Sequence, residues 1–201
     1  MRLWIGAGVI AGGVHVESLW SIALWRQFGA AIDTLDNALV ACPASLWTER
    51  LWPNSPPPWF PPQFAEFWYV TFHTLVWLDL YLSGVPEEEF APPAPFAQGV
   101  LDSVEAMPER PYTKQELRAY LVATRQKCHV TLVALTDEQA CRPVEYSWSQ
   151  GQPISFLELL LYTMRHVQEH AAELSLFLGQ HRIPDENVDW VARAKVTPGS
   201  Q

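Results

Sequence analysis

Residues 155–178 read SFLELLLYTMRHVQEHAAELSLFL, with neither proline nor glycine in the run. At 100° per residue, Phe156, Leu160, Val167, Ala171, Leu174 and Leu178 fall on one face. Arg165, Gln168, Ala172 and Ser175 fall mostly opposite. That period is helical, and the two-sided pattern is that of a helix burying one stripe. Ser155 with Glu158 three residues on has the capping-box pattern, and Gly179 is expected to close the helix. A long helix with one apolar face must cover it with other elements, so the rest of the chain is read for partners.

Three partners precede it. The first spans about Glu17 to Ala41, where Leu24, Phe28, Ile32, Leu35 and Leu39 repeat at three-to-four spacing and Pro43 ends the run. The second spans about Gln63 to Ser83, with Gly84 as its cap and Pro86 beyond. It is apolar on nearly every side, which predicts a buried helix. The third opens at the capping-box pattern Thr113-Lys114-Gln115-Glu116 and runs to about Leu135, with Leu117, Leu121, Cys128, Leu132 and Leu135 as its core stripe.

Two proline-rich connections separate these runs. Six of the ten residues from Pro53 to Pro62 are proline, and residues 85–112 add Pro92, Pro93, Pro95, Pro108 and Pro111. Neither can be helix interior or central strand. Trp59 and Phe60 are expected to tuck onto the bundle, and residues 100–106 to make a short helical turn. A loop with Pro143 and Gly151 precedes the last helix. The expected fold is all-α: a single four-helix bundle over residues 17–182 with long Pro-rich connections. An apolar leader (1–16) precedes it, and an extended tail (183–201) anchored by Trp190 follows.

Composition narrows the function classes. The chain has 201 residues, 49% hydrophobic and 17% charged, which fits one globular domain. Its ten tryptophans are expected mostly in the core or around a pocket. A net charge of −9, without a Lys/Arg cluster, argues against nucleic acid as a partner. The apolar start, Leu3 to Val14, is shorter than the ~20 residues a membrane-spanning helix needs. It has one basic residue and no small-x-small cleavage site, so it reads as a leader and not a signal peptide. Cys42, Cys128 and Cys141 show no C-x-x-C spacing and read as reduced structural thiols of a cytoplasmic protein.

His166 and His170, four residues apart, share a strip with Leu159, Tyr162, Glu173 and Phe177 at the border of the apolar face. Side chains at that spacing stand one turn apart, so both imidazoles can reach one ion. His73 lies mid-way along the most apolar helix, where an unpartnered imidazole would be costly. A divalent metal shared by His73, His166 and His170 supplies a partner to all three. His15, His129 and His181 lack that context and are read as structural. Two rival metal motifs fail. H-x-x-E-H is present at 166–170, but too little chain follows to supply the distant glutamate ligand of the inverted zinc proteases. A di-iron bundle needs Glu-x-x-His pairs, and Val70, Thr163 and Val167 stand where the glutamates would be.

Three neutral imidazoles and an open position are the ligand set of a catalytic centre. Imidazole suits zinc or nickel, and the ion would acidify a bound water or thiol. Ligating histidines commonly donate their outer ring N–H to a carboxylate, for which Glu173 and Glu66 are the candidates. Tyr162, Trp77 and Tyr69 are candidates to line the pocket. No residue is assigned a catalytic role.

With these residues in view, the chain resembles the DinB-like (DinB/YfiT) superfamily. The similarity runs from Leu24-Trp25-Arg26-Gln27-Phe28 to Trp190 and is closest at Phe72-His73-Thr74-Leu75-Val76-Trp77, at Pro92-Pro93-Ala94-Pro95-Phe96, at Pro108-Glu109-Arg110-Pro111-Tyr112, and at Met164 through Leu174. The resemblance implies a bundle with a three-histidine metal site on His73, His166 and His170, often dimeric. It implies activities such as metal-dependent transfer of low-molecular-weight thiols to a small-molecule substrate. The arginine that often follows the last histidine in those transferases is Ala171 here. Two function classes are therefore carried forward. One is a metal-dependent thiol transferase or hydrolase. The other is a non-catalytic small-molecule-binding or stress-response bundle with a structural metal.

Overall fold

The apolar repeats become four long helices. The computed structural model describes residues 19–52, 61–96 and 107–183. Within these, α1 is Leu19–Ala41, α2 Phe67–Ser83, α3 Lys114–Ala134, α4 Asp137–Cys141 and α5 Phe156–Gln180. Two short strands, β1 (Pro143–Val144) and β2 (Ile154–Ser155), pair antiparallel. The architecture is the expected all-α bundle. α1 and α2 each pack against both α3 and α5, so the four long helices ring one core. The leader, residues 53–60, the turn expected at 100–106 and the tail with Trp190 lie outside the described residues.

Packing follows the predicted faces. Leu24, Phe28, Ile32, Leu35 and Leu39 of α1 are buried, as are Leu117, Leu121, Cys128 and Leu132 of α3. Phe156, Leu160, Val167, Ala171, Leu174 and Leu178 of α5 complete the core. On α2 every residue is buried except His73 and Ser83. That helix is the hydrophobic post around which the others pack, and it opens outward mid-length only at His73. Of the described tryptophans, Trp68 and Trp77 are in the core and Trp25 and Trp47 pack against it, while Trp20, Trp52 and Trp148 are exposed.

Polar ties set the helices in register. Asp79 of α2 accepts from Lys127 Nζ (2.6 Å) and from the Tyr120 hydroxyl (2.8 Å), both on α3. Asp33 of α1 pairs with Arg125 of α3 at 2.8 Å. Lys114 donates to the carbonyls of Val40 and Cys42, a cation at the C-terminal end of α1 where the helix dipole favours it. The crossover before α3 is anchored by Phe96, whose ring meets those of Tyr112 (4.8 Å) and Tyr120 (4.4 Å).

The helix ends depart from expectation in instructive ways. α2 begins at Phe67, because Pro62–Ala65 form a separate 3-10 turn. Glu66 caps without its side chain, and the first N–H groups of α2 instead donate to the Glu49 and Trp47 carbonyls of the preceding loop. Thr113 and Glu116 form a full capping box at α3. At α5 only half of one forms: Ser155 accepts from the Glu158 N–H. Gly179 lies inside α5, and the left-handed residue beyond its end is Arg182 (φ 59°). Ile183 and Arg182 donate back to the Leu178 and Gly179 carbonyls, a Schellman closure built without glycine. The segment read as a loop before α5 also holds α4, capped by Thr136 and Gln139, and the β1–β2 hairpin. Both are shorter than any period the sequence could reveal. Cys42 and Cys128 are buried free thiols, whereas Cys141 is free and exposed.

Gly84 caps α2 in the left-handed region (φ 63°) and lies under the Arg142 guanidinium, which donates to its carbonyl at 3.2 Å. Gly84→Ala is expected to cost roughly 1–2 kcal/mol from backbone conformation, with added cost from displacing Arg142. Gly179→Ala, in open space on a helix, should stabilise by up to about 1 kcal/mol. Urea denaturation midpoints moving in opposite directions for the two variants is the expected result.

Candidate metal centre

α2 and α5 are neighbours in the ring, and the three histidines meet between them. His73 Nε2 lies 3.1 Å from His166 Nε2, which lies 3.1 Å from His170 Nε2. The rings stand edge to face, with His166 and His170 centroids 4.6 Å apart at 86° and His73 and His170 centroids 5.1 Å apart at 89°. All three are half-buried, and their nitrogens form a group that could hold a metal ion. At a metal–nitrogen distance of ~2.0–2.1 Å, ligands about 100–110° apart are separated by roughly 3.1–3.4 Å. The observed spacing fits such an ion.

Proton positions sharpen the argument. Glu173 accepts from His170 Nδ1 at 2.7 Å. With its proton on Nδ1, the neutral His170 ring turns a bare lone pair toward the other two Nε2 atoms. Burial, then the neighbouring His73 and His170, pushes the His166 pKa down to about 2. Burial and His73 also lower that of His170, against the raising effect of Glu173. At neutral pH these two rings are therefore neutral, the state that ligates metal. With the proton of each ring on Nδ1, all three Nε2 lone pairs would be available to one cation between them.

The flanking residues sort clearly. Glu173 is the carboxylate that holds a ligand ring. Glu66 is not: it accepts from Trp68 Nε1 at 2.6 Å and belongs to the α2 entry. Trp77 lies beside the centre, its ring 6.2 Å from that of His73. Tyr162 lies one turn before His166, its ring nearly parallel to that imidazole (12°, 6.4 Å). Tyr69 is buried and stacks on Phe64 at 4.4 Å, a core position. The other histidines are structural where described. His129 is half-buried, its ring 4.6 Å from that of Trp25. His181 donates to the Phe177 carbonyl at 2.9 Å. His15 lies outside the described residues.

Sequence reading missed one group of residues at the centre. Beyond Trp77 and Tyr162 the aromatic wall continues through Tyr81 and Trp148. Tyr81 meets Trp77 at 5.2 Å and Tyr162 at 5.9 Å. Trp148 stacks on Tyr162 at 4.9 Å and donates its indole N–H to the Tyr81 hydroxyl at 2.9 Å. Tyr81 had a signal, since it stands one turn past Trp77 on the same strip. Trp148 had none, because the hairpin that delivers it has no periodicity.

Residues 27–174 match the family model described as the DinB superfamily, a span that includes His73, His166 and His170. No curated protein and no solved structure matches the chain significantly. Among the described residues, no helix is long and apolar enough to cross a membrane.

Because the His166 pKa is depressed in the fold relative to about 6.5 in an unfolded chain, the unfolded state binds more protons at acidic pH. The metal-free protein is therefore expected to lose stability as pH falls below ~6.5 and to be insensitive to this group above it. Thermal melts across pH 4–8 measure this. The low-pH loss should shrink in His166→Asn, which cannot take up the proton.

Proposed function

The chain belongs to the DinB superfamily, and from that membership and its converging histidines we propose a metal-dependent enzyme that activates a thiol or a water. The observation that carries this reading is the meeting of three Nε2 atoms, those of His73 and His170 each 3.1 Å from that of His166, with His166 and His170 kept neutral by burial. His73, His166 and His170 are its ligands, and zinc or nickel suits them. A divalent ion held by three neutral imidazoles keeps its full charge and an open position, and so acidifies a thiol or water near neutral pH.

The protein's own residues do the positioning. Glu173 keeps the proton on His170 Nδ1 and fixes the orientation of that ring. His73, alone among the central residues of α2, is open to approach. The buried Trp77 and Tyr81 on one flank lower the local dielectric, which strengthens the field of the ion. Ala171 stands where the thiol transferases that the chain resembles often carry an arginine, so their substrate preference is not carried over to it.

A second reading, a non-catalytic binding bundle, is favoured by one observation. The phenols of Tyr81 and Tyr162 are both pushed up, chiefly by burial, and stay protonated at neutral pH. They supply no proton acceptor beside the centre.

Purified wild-type protein is expected to carry about one divalent metal per chain by elemental analysis. His73→Ala and His170→Ala should carry little while retaining helical circular dichroism. Full occupancy in His73→Ala would remove the third ligand from the account. Turnover is read by loss of a small thiol in the presence of an electrophile, or of an ester or amide. No turnover of either kind by the metal-loaded protein would favour the binding bundle. Glu173→Gln is expected to weaken metal affinity by about 10–100-fold, measured by competition with a chromogenic chelator.

A further inference from the structure

The metal centre has two flanks along α5, and they differ. Toward the C-terminus lie Glu173, committed to His170, and the buried Phe177. Toward the N-terminus lies a wall of aromatic rings that is partly open to solvent. Tyr81 (2% exposed) and Trp77 (8% exposed) form its floor, while Tyr162 and Trp148 (38% exposed) form its rim. The rings are continuous with the histidines, because Trp77 meets His73 and Tyr162 lies parallel to His166.

A second observation points to a ligand. Trp77 Nε1 is buried and has no hydrogen-bond partner among the described residues. A buried indole N–H without an acceptor is an unmet demand in a folded chain, and the Trp77 ring lies 6.2 Å from that of His73. The Trp148 N–H is already taken by Tyr81, whereas His166 Nδ1, on the ring parallel to Tyr162, is like Trp77 Nε1 buried without a partner among the described residues.

We propose that this wall is a subsite for a flat, conjugated group of the molecule that the metal binds. The inference rests on the metal centre proposed above. Aromatic side chains present broad apolar faces that favour stacking by a planar ring, and an oxygen on such a group would satisfy Trp77. Aromatic faces also attract cations. Here the Arg165 guanidinium already lies 5.8 Å from the Tyr162 ring centre, so a second cation at that face would be repelled.

The test uses two metal-chelating probes that differ in a single ring, acetohydroxamate and benzohydroxamate, titrated calorimetrically into metal-loaded full-length protein. Wild type is expected to bind benzohydroxamate at least tenfold more tightly. Trp148→Ala and Tyr162→Leu should each reduce that preference to threefold or less, with acetohydroxamate affinity within twofold of wild type. Trp148 sits on an exposed loop, so its removal leaves the bundle core intact. Equal affinity for the two probes in wild type overturns the subsite and leaves the metal centre standing. A preference that survives both substitutions overturns the assignment to this wall. Binding of neither probe overturns the open metal position and the subsite with it. Competition of tetramethylammonium with benzohydroxamate would identify a cation cage and also overturn the proposal.

Discussion

Three imidazole nitrogens meeting between two helices are the constraint on which the rest of the structure bears. His73, His166 and His170 bring their Nε2 atoms to 3.1 Å spacings, and the carboxylate of Glu173 fixes the tautomer of His170. Burial and mutual charge resist protonation of His166 and His170. A divalent cation between the rings would find neutral nitrogen ligands there. The requirement that these rings converge explains much of the bundle's construction. It calls for a half-buried position on a helix otherwise wrapped in apolar contacts, and a partner helix whose polar strip borders the core.

The bundle meets that requirement through rigidity. Every residue of α2 is buried except His73 and Ser83, so the helix has little freedom to rotate. Its register against α3 is fixed by Asp79 with Lys127 and Tyr120. Its start is held by the Glu49 and Trp47 carbonyls, and its end by Gly84 under Arg142. α5 is capped at Ser155 and closed by a Schellman turn at Arg182. Ligands on two elements fixed in this way need little reorganisation on binding an ion, which is how a scaffold favours metal affinity over flexibility.

Much of this was legible in the sequence, for reasons that can be named. Three of the long helices follow from apolar periodicity over five or more turns and α2 from a run apolar on nearly every side, while His166 and His170 fall on one strip by arithmetic. His73 was found because a polar group stood in an apolar helix. Glu173 followed from its place one turn beyond His170, whereas Glu66 had the same chemistry and a different partner, Trp68 Nε1. The α2 start was misplaced because a 3-10 turn through Pro62–Ala65 looks like the first turn of a helix. Trp148 could not be anticipated. Its role depends on a two-residue strand pair and a 3-10 turn, and no local pattern points that loop at Tyr162.

The central claim is that the three histidines bind one divalent ion together and leave it an open position. X-ray absorption of the zinc- or nickel-loaded protein tests this most directly, because imidazole rings give multiple-scattering features that can be counted. The account predicts three imidazole nitrogens at about 2.0–2.1 Å with one or more light-atom ligands besides. A first shell containing sulfur, or scattering from fewer than three imidazoles, would contradict it.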